Sequence, residues 1–135
     1  MGLSVGVDVV ELERVQRAVD RWGDRFLARV YTAEELVYAR RRVPELAARF
    51  AAKEAVSKAL GVGMRHLSAH GIAWHEVEVL SNLRGKPVLR LSGRARELAE
   101  EMGLCEWAVS LSHERDRALA FVVALGDVGE GLSRT

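Results

Sequence analysis

The sequence holds a single cysteine, Cys105, so no disulfide can close within the chain and nothing points to an oxidising compartment. It has almost no net charge: 20 Lys and Arg stand against 19 Asp and Glu, which leaves +1 and argues against a general nucleic-acid binder. Long apolar runs are missing too. The valine-rich start is broken by Asp8, so neither a signal peptide nor a membrane span is expected there. Gly2 does not open a myristoylation motif, because position 6 is Gly rather than Ser or Thr. A cytoplasmic location is therefore expected. Internal repeats and domain linkers are absent. Lysine is scarce: of the 20 basic residues only Lys53, Lys58 and Lys86 are lysines. A lysine is a compact point charge and an arginine a planar fork, so a chain that prefers Arg can keep Lys where the compact head is required. What remains is 135 residues, 49% hydrophobic and 29% charged, the composition of one soluble globular domain with a real core.

The chain is organised around Arg49-Phe50-Ala51-Ala52-Lys53-Glu54-Ala55-Val56-Ser57-Lys58-Ala59-Leu60-Gly61. Ala, Leu, Lys and Glu fill this run with strong helix formers, Pro44 suits a first turn, and Gly61 is a natural stop. Phe50, Glu54, Ser57 and Lys58 share one side of the expected helix. Charges on a helix this apolar need a partner, a metal or a ligand. An ordinary Glu–Lys pair one turn apart on a solvated face is the commoner meaning of Glu54 and Lys58 taken alone. The stretch Gly6-Val7-Asp8-Val9-Val10-Glu11-Leu12 lowers that reading. It predicts a short buried strand over 4–10 with Val5, Val7 and Val9 on one side and Gly6, Asp8 and Val10 on the other, so that Asp8 lies in apolar surroundings.

A helix is predicted over 11–22, with Leu12, Val15, Val19 and Trp22 as its core stripe. Arg14, Arg17 and Arg21 form a basic ridge on it. Such a ridge is most often a solvated face; its functional meaning is a docking strip for an acidic partner. Thr32 and Glu35 fit a capping box, and the helix they open is expected to end in Arg40-Arg41-Arg42, where cations are favourable. His66, His70 and His75 raise zinc, but Gly71 and the strand-like run after it argue against a helix that would bring the first pair together. Strands are expected over 72–80 and 88–91 around a turn at Gly85-Lys86-Pro87, then a helix from Ser92 to Met102, and a hairpin of strands over 106–112 and 118–125. The order β-α-α-α-β-β-α-β-β gives an α+β domain over 1–125, mainly an antiparallel sheet packed on a long central helix, with 126–135 as a mobile tail.

The two leading blocks resemble holo-acyl-carrier-protein synthase, the small bacterial phosphopantetheinyl transferase family. Phe50 to Gly61 is nearly the whole family signature, Gly85-Lys86-Pro87 is similar to its turn, and Val109-Ser110-Leu111-Ser112-His113 is similar to one of its strand ends. The resemblance spans about Val5 to Leu125. It implies the phosphopantetheinyl transferase fold and transfer of 4'-phosphopantetheine from coenzyme A to a serine of apo acyl carrier protein. Adenosine 3',5'-bisphosphate leaves, in support of fatty acid biosynthesis, with polyketide biosynthesis as a second setting. It further implies magnesium held by Asp8 and Glu54, with Glu54 and Lys58 as catalytic residues. Contacts to coenzyme A fall on Arg49, Lys58, Gly61, Gly85, Lys86, Pro87, Ser112 and His113. The acyl carrier protein is placed on Arg14, and the ridge extends that contact to Arg17 and Arg21. A homotrimer with sites at subunit interfaces completes the implied picture. Chemistry agrees on the metal, because magnesium takes one or two carboxylates together with phosphate oxygens. Glu114 departs from the Thr that often follows the histidine, and a carboxylate cannot donate to a phosphate as Thr can.

Overall fold

The structure, a computed structural model, describes residues 2–65 and 69–126. Strand β1 (Leu3–Glu11) leads into helix α1 (Leu12–Trp22), then α2 (Asp24–Val30), α3 (Ala33–Ala39) and the 18-residue α4 (Val43–Leu60). A 3-10 turn at Trp74–Glu76 precedes β2 (Val77–Ser81) and β3 (Pro87–Leu91); α5 (Gly93–Glu101), β4 (Leu104–Glu114) and β5 (Arg117–Gly126) follow within the described residues. Among the described residues the strands form two sheets, an antiparallel β1-β5-β4 sheet and a separate antiparallel β2-β3 hairpin.

Helix α4 is the axis of the core. Leu46, Ala47, Ala51, Ala52, Ala55 and Val56 are fully buried. Its residues are small because it is packed on several sides, so the apolar stripe of an ordinary surface helix is absent. Pro44 lies in its first turn, and Gly61 ends it with φ +76°, the left-handed conformation that favours glycine. Thr32 and Glu35 close the expected capping box on α3.

Several expectations are corrected. β1 is buried on one side only. Gly6, Asp8 and Val10 face α4, while Val5, Val7 and Val9 are exposed, because the three-stranded sheet is covered by helix on a single face. A helix unmarked in the sequence, α2, follows Gly23. Its Leu27 and Val30 take the core positions, so Trp22 stays about half exposed beneath Arg21 and Arg25 rather than joining the core stripe. Helix α3 stops at Ala39, since Arg40 and Arg41 adopt positive φ; Arg42, from beyond the helix, bonds the carbonyls of Ala39 and Tyr38. Ile72 belongs to an isolated parallel bridge with Met64 rather than to β2. The final hairpin turns tightly on Arg115 and Asp116, with Glu114 opposite Arg117. Of the expected tail, Gly126 is the last residue of β5, and 127–135 lie outside the described residues.

Candidate active site

The site begins with a missing side chain. A Cβ on Gly6 would lie 1.9 Å from the carbonyl oxygen of Ala55 and 3.0 Å from the amide of Ala59, so only glycine lets α4 cross β1 this closely. Ser4 fastens the same crossing, its hydroxyl donating to Ala59 O at 2.6 Å. Two residues after Gly6, on the same face of the strand, stands Asp8. Lys58 reaches it from α4: Nζ donates to Asp8 Oδ1 at 2.9 Å and to Val7 O at 3.1 Å. Glu54, half-buried, lies one helical turn before Lys58 on that face of α4. The sequence-predicted Asp8 and Lys58 thus meet at one rim, with Glu54 one turn away along the helix. Among the described residues no group of three or more His, Cys, Asp and Glu side chains forms a metal cage. Two oxygen-donor carboxylates beside an ammonium match a hard cation that completes its shell with phosphate and water.

The other end of α4 carries a second cluster. Arg49 is buried; one guanidinium nitrogen bonds Glu45 Oε1 at 2.8 Å and another Ser81 Oγ at 3.2 Å, and the guanidinium lies 4.5 Å from the Tyr38 ring centroid. Its Nε is the one buried side-chain polar atom among the described residues without a hydrogen-bond partner. Ser81 ends β2, so Arg49 sits beside the turn of Gly85, Lys86 and Pro87. That turn is shaped by Asn82, whose side-chain oxygen accepts from the amides of Arg84 at 2.9 Å and Lys86 at 3.0 Å, with Gly85 at φ +82°. Asn82 was a legible signal, an Asx turn residue just ahead of a glycine.

Between these clusters lies a buried polar network that the sequence reading missed. Lys53 is fully buried; its Nζ donates to Glu35 Oε1 at 2.9 Å, Trp74 O at 3.0 Å and Val77 O. Glu35 also accepts from the amides of Val79 at 2.7 Å and Thr32 at 2.8 Å. Burial pushes the Lys53 ammonium below its ordinary range, opposed by the Glu35 carboxylate. Burial likewise pushes the Tyr31 hydroxyl up, with Glu35 adding to it. For Glu78 burial acts upward, but hydrogen bonds from Thr32 and Arg90 and the charges of Arg90 and Lys53 outweigh it, and its carboxyl is held below the ordinary range.

Ser112 and His113 are exposed near the end of β4 and are not drawn to either cluster: β5 separates their strand from β1. Glu114, paired with Arg117, lies on the outer face of the sheet. Gly61 serves α4 as its stop. Arg14, Arg17 and Arg21 are exposed on α1 as expected; Arg17 pairs with Glu13 at 3.7 Å, and Arg14 lies 5.4 Å from the centroid of Phe50, which itself stacks on Trp74. Of the three histidines that raise zinc, His66 falls outside the described residues, and His75 Nε2 meets Ala28 O at 2.7 Å. No helix among the described residues is long and apolar enough to cross a membrane.

Comparison with known proteins agrees with this fold. Residues 4–122 match the family model of the 4'-phosphopantetheinyl transferase superfamily. The chain is 50% identical over 126 residues to a holo-acyl-carrier-protein synthase of Herpetosiphon aurantiacus, covering 92% of this chain and 99% of that one. Among solved structures it resembles the holo-acyl-carrier-protein synthase of Neisseria meningitidis (37% identity, TM-score 0.79, 90% of this chain and 97% of that chain). It also resembles the Helicobacter pylori enzyme in complex with coenzyme A (28% identity, TM-score 0.79, 90% and 99%).

Proposed function

This chain belongs to the holo-acyl-carrier-protein synthases of the 4'-phosphopantetheinyl transferase superfamily, and from that premise we propose how its residues divide the reaction. The enzyme moves 4'-phosphopantetheine from coenzyme A to a serine of apo acyl carrier protein. The serine oxygen forms a bond to the phosphorus that bears pantetheine, and the bond to the departing adenosine 3',5'-bisphosphate breaks. Asp8 and Glu54 are the residues that would hold magnesium; when bound, the ion supplies charge neutralisation on the pyrophosphate. Lys58 leaves Asp8 in part for the phosphate oxygens, as a compact, half-exposed ammonium can, and stabilises charge that builds on them. Arg49 and the turn of Gly85, Lys86 and Pro87 receive the nucleotide; the unpartnered Nε of Arg49 supports this, since a phosphate oxygen would satisfy it.

Two further proposals concern partners. The exposed Val5, Val7 and Val9 lie in register with Val123, Phe121 and Leu119 and make an apolar face that other copies of the chain would cover. A homotrimer of this kind would bring Ser112 and His113 to a neighbour's coenzyme site, which explains why a single copy leaves them apart. The ridge of Arg14, Arg17 and Arg21 would dock the acidic carrier protein, and Arg25, stacked on the exposed Trp22, lengthens it. A cytoplasmic setting accords with the lone free thiol of Cys105.

The observation that carries this reading is the Gly6 crossing, which holds Lys58 on Asp8 with Glu54 one turn away. The test is mass spectrometry of an apo carrier protein incubated with coenzyme A, this protein and magnesium. The expected result is a carrier heavier by one phosphopantetheine, with the gain lost on chelation. An unmodified carrier would overturn the reading, and modification that survives chelation would remove the metal from it.

A further inference from the structure

Helix α4 works on two sides. Lys58 faces β1, whereas Lys53, about 140° around the helix by the 3.6-residue period, faces the β2–β3 hairpin. Among the described residues that hairpin shares no strand pairing with the main sheet, and a two-stranded hairpin is marginal without support. Yet it carries the turn of Gly85, Lys86 and Pro87, while Asp8 and Lys58 stand on the opposite side of the helix. Something must fix the distance between the two.

The polar links from the helical layer to β2 run along the strand. Lys53 Nζ holds the Val77 carbonyl at its start, Glu35 Oε2 the Val79 amide at its middle, and Arg49 the Ser81 hydroxyl at its end. Thr32, the N-cap of α3, bonds Glu78 beside them. Lys53 and Glu35 bond each other, so α3, α4, the 3-10 turn and β2 meet at one ion pair, with both side chains fully buried. An apolar contact slides, but three donors and a fork of acceptors do not. The pair also adjoins the reacting residues in sequence, since Lys53 precedes Glu54.

We propose that the buried Lys53–Glu35 pair is a positioning device that fixes the span between the hairpin turn at 85–87 and the phosphate-facing residues Asp8, Glu54 and Lys58. The inference rests on the assignment of these two clusters to the nucleotide and the pyrophosphate of coenzyme A. It differs from a role in stability alone. A ligand that touches both ends gains from their fixed separation, as linked binding modules gain effective concentration, and a ligand that touches one end does not.

The test compares three ligands by calorimetry in the presence of magnesium: coenzyme A, adenosine 3'-phosphate, which lacks the pyrophosphate, and 4'-phosphopantetheine. The variant is the double substitution Lys53→Met with Glu35→Gln. It removes both charges together, which a core tolerates far better than the loss of one. Its glutamine oxygen can still accept from the backbone. Coenzyme A should bind about tenfold more weakly than to the unaltered protein, with each fragment within about twofold. Lys53→Gln with Glu35→Gln, which strands no charge and keeps a neutral hydrogen bond in place of the ion pair, should show the same split in smaller measure, and it serves if the first variant does not fold. Unchanged binding of coenzyme A, or loss of all three ligands in proportion, would overturn the positioning role and leave the pair as a core contact. Failure of the unaltered protein to bind coenzyme A would instead strike the underlying assignment, and the inference with it.

Discussion

Two lysine–carboxylate pairs sit on one helix at the same distance and in opposite surroundings. Lys53–Glu35 and Lys58–Asp8 both close at 2.9 Å, but the first pair is fully buried, while the second leaves 53% of the lysine and 17% of the aspartate side chain exposed. Coulomb attraction between the two charges is similar in geometry and differs in medium. Inside, the ammonium has surrendered its water for three fixed acceptors and has nowhere else to go. At the rim, the ammonium keeps water and can be drawn to a phosphate at small cost. Equal contacts therefore sit in unequal settings: one pair is locked in the core, and the other lies at a rim where its lysine keeps water.

The sharpest separation of the two pairs is expected in activity. Asp8→Ala and Glu54→Ala should each remove most transfer while leaving a folded protein. If both carboxylates serve one ion, the double variant should be little worse than either single, because residues that act as a unit are not additive. Turnover measured by mass spectrometry of the carrier checks this. Losses that multiply would show two independent roles and dissolve the rim as a unit.

Next in size is stability. Lys53→Met strands Glu35 in the core, and breaking one partner of a buried pair costs about 3–5 kcal/mol. Lys58→Met opens an exposed pair, for which about 0–1 kcal/mol is usual. Urea unfolding of the two variants compares them directly. Equal midpoints would erase the distinction on which the scaffold role depends.

A smaller effect reaches the edge of the buried network. The Glu78 carboxyl is held below its ordinary value of 4.5, so the folded state binds its proton less readily than the unfolded state. Its contribution is therefore complete above that value and is lost as pH falls through the lower folded value. Glu78→Gln should flatten the acid side of the stability–pH profile and leave the neutral region's slope unchanged. An unaltered acid limb would mean that the Thr32 and Arg90 bonds do not favour the charged form.

The contrast between the pairs was half legible in the sequence. Asp8, Glu54 and Lys58 stand out in the sequence because a carboxylate in a strand and a charged turn on an apolar helix need explanation, and local periodicity puts Glu54 and Lys58 on one side of that helix. The fold class and the long helix with its proline start and glycine stop were legible for the same reason. Lys53 was noticed only as a rare lysine, since its partner Glu35 had an adequate local meaning in the capping box, and no spacing rule joins positions 18 apart across two helices. Val5, Val7 and Val9 read as core because alternation tells which residues share a face, never which face is covered. Trp22 failed similarly: the stripe of α1 was right in phase, but α2 lacked a periodic signal over its 7 residues and took the core in its place.

The basic ridge extends the comparison to the weakest charges of the molecule. Arg14 and Arg21 are exposed like Lys58, yet they have no built pocket, and Arg14 rests over Phe50 while Arg21 rests over Trp22. Seven residues apart, they face one way across about two helical turns. Exposed pairs of this kind contribute roughly 0.2–1 kcal/mol each and act mainly on encounter and register. Arg17 between them already shares its charge with Glu13 and should matter least. Reversing Arg14 and Arg21 to Glu should raise the Michaelis constant for the carrier protein and flatten its dependence on salt. The constant for coenzyme A should barely move, because its phosphates are expected at Asp8, Glu54, Lys58 and Arg49. Steady-state kinetics with each substrate varied in turn, at two ionic strengths, separates the outcomes. A carrier constant that stays put would make the ridge a solvated face; an equal loss for coenzyme A would place the arginines at the rim with Lys58 instead of on a docking strip.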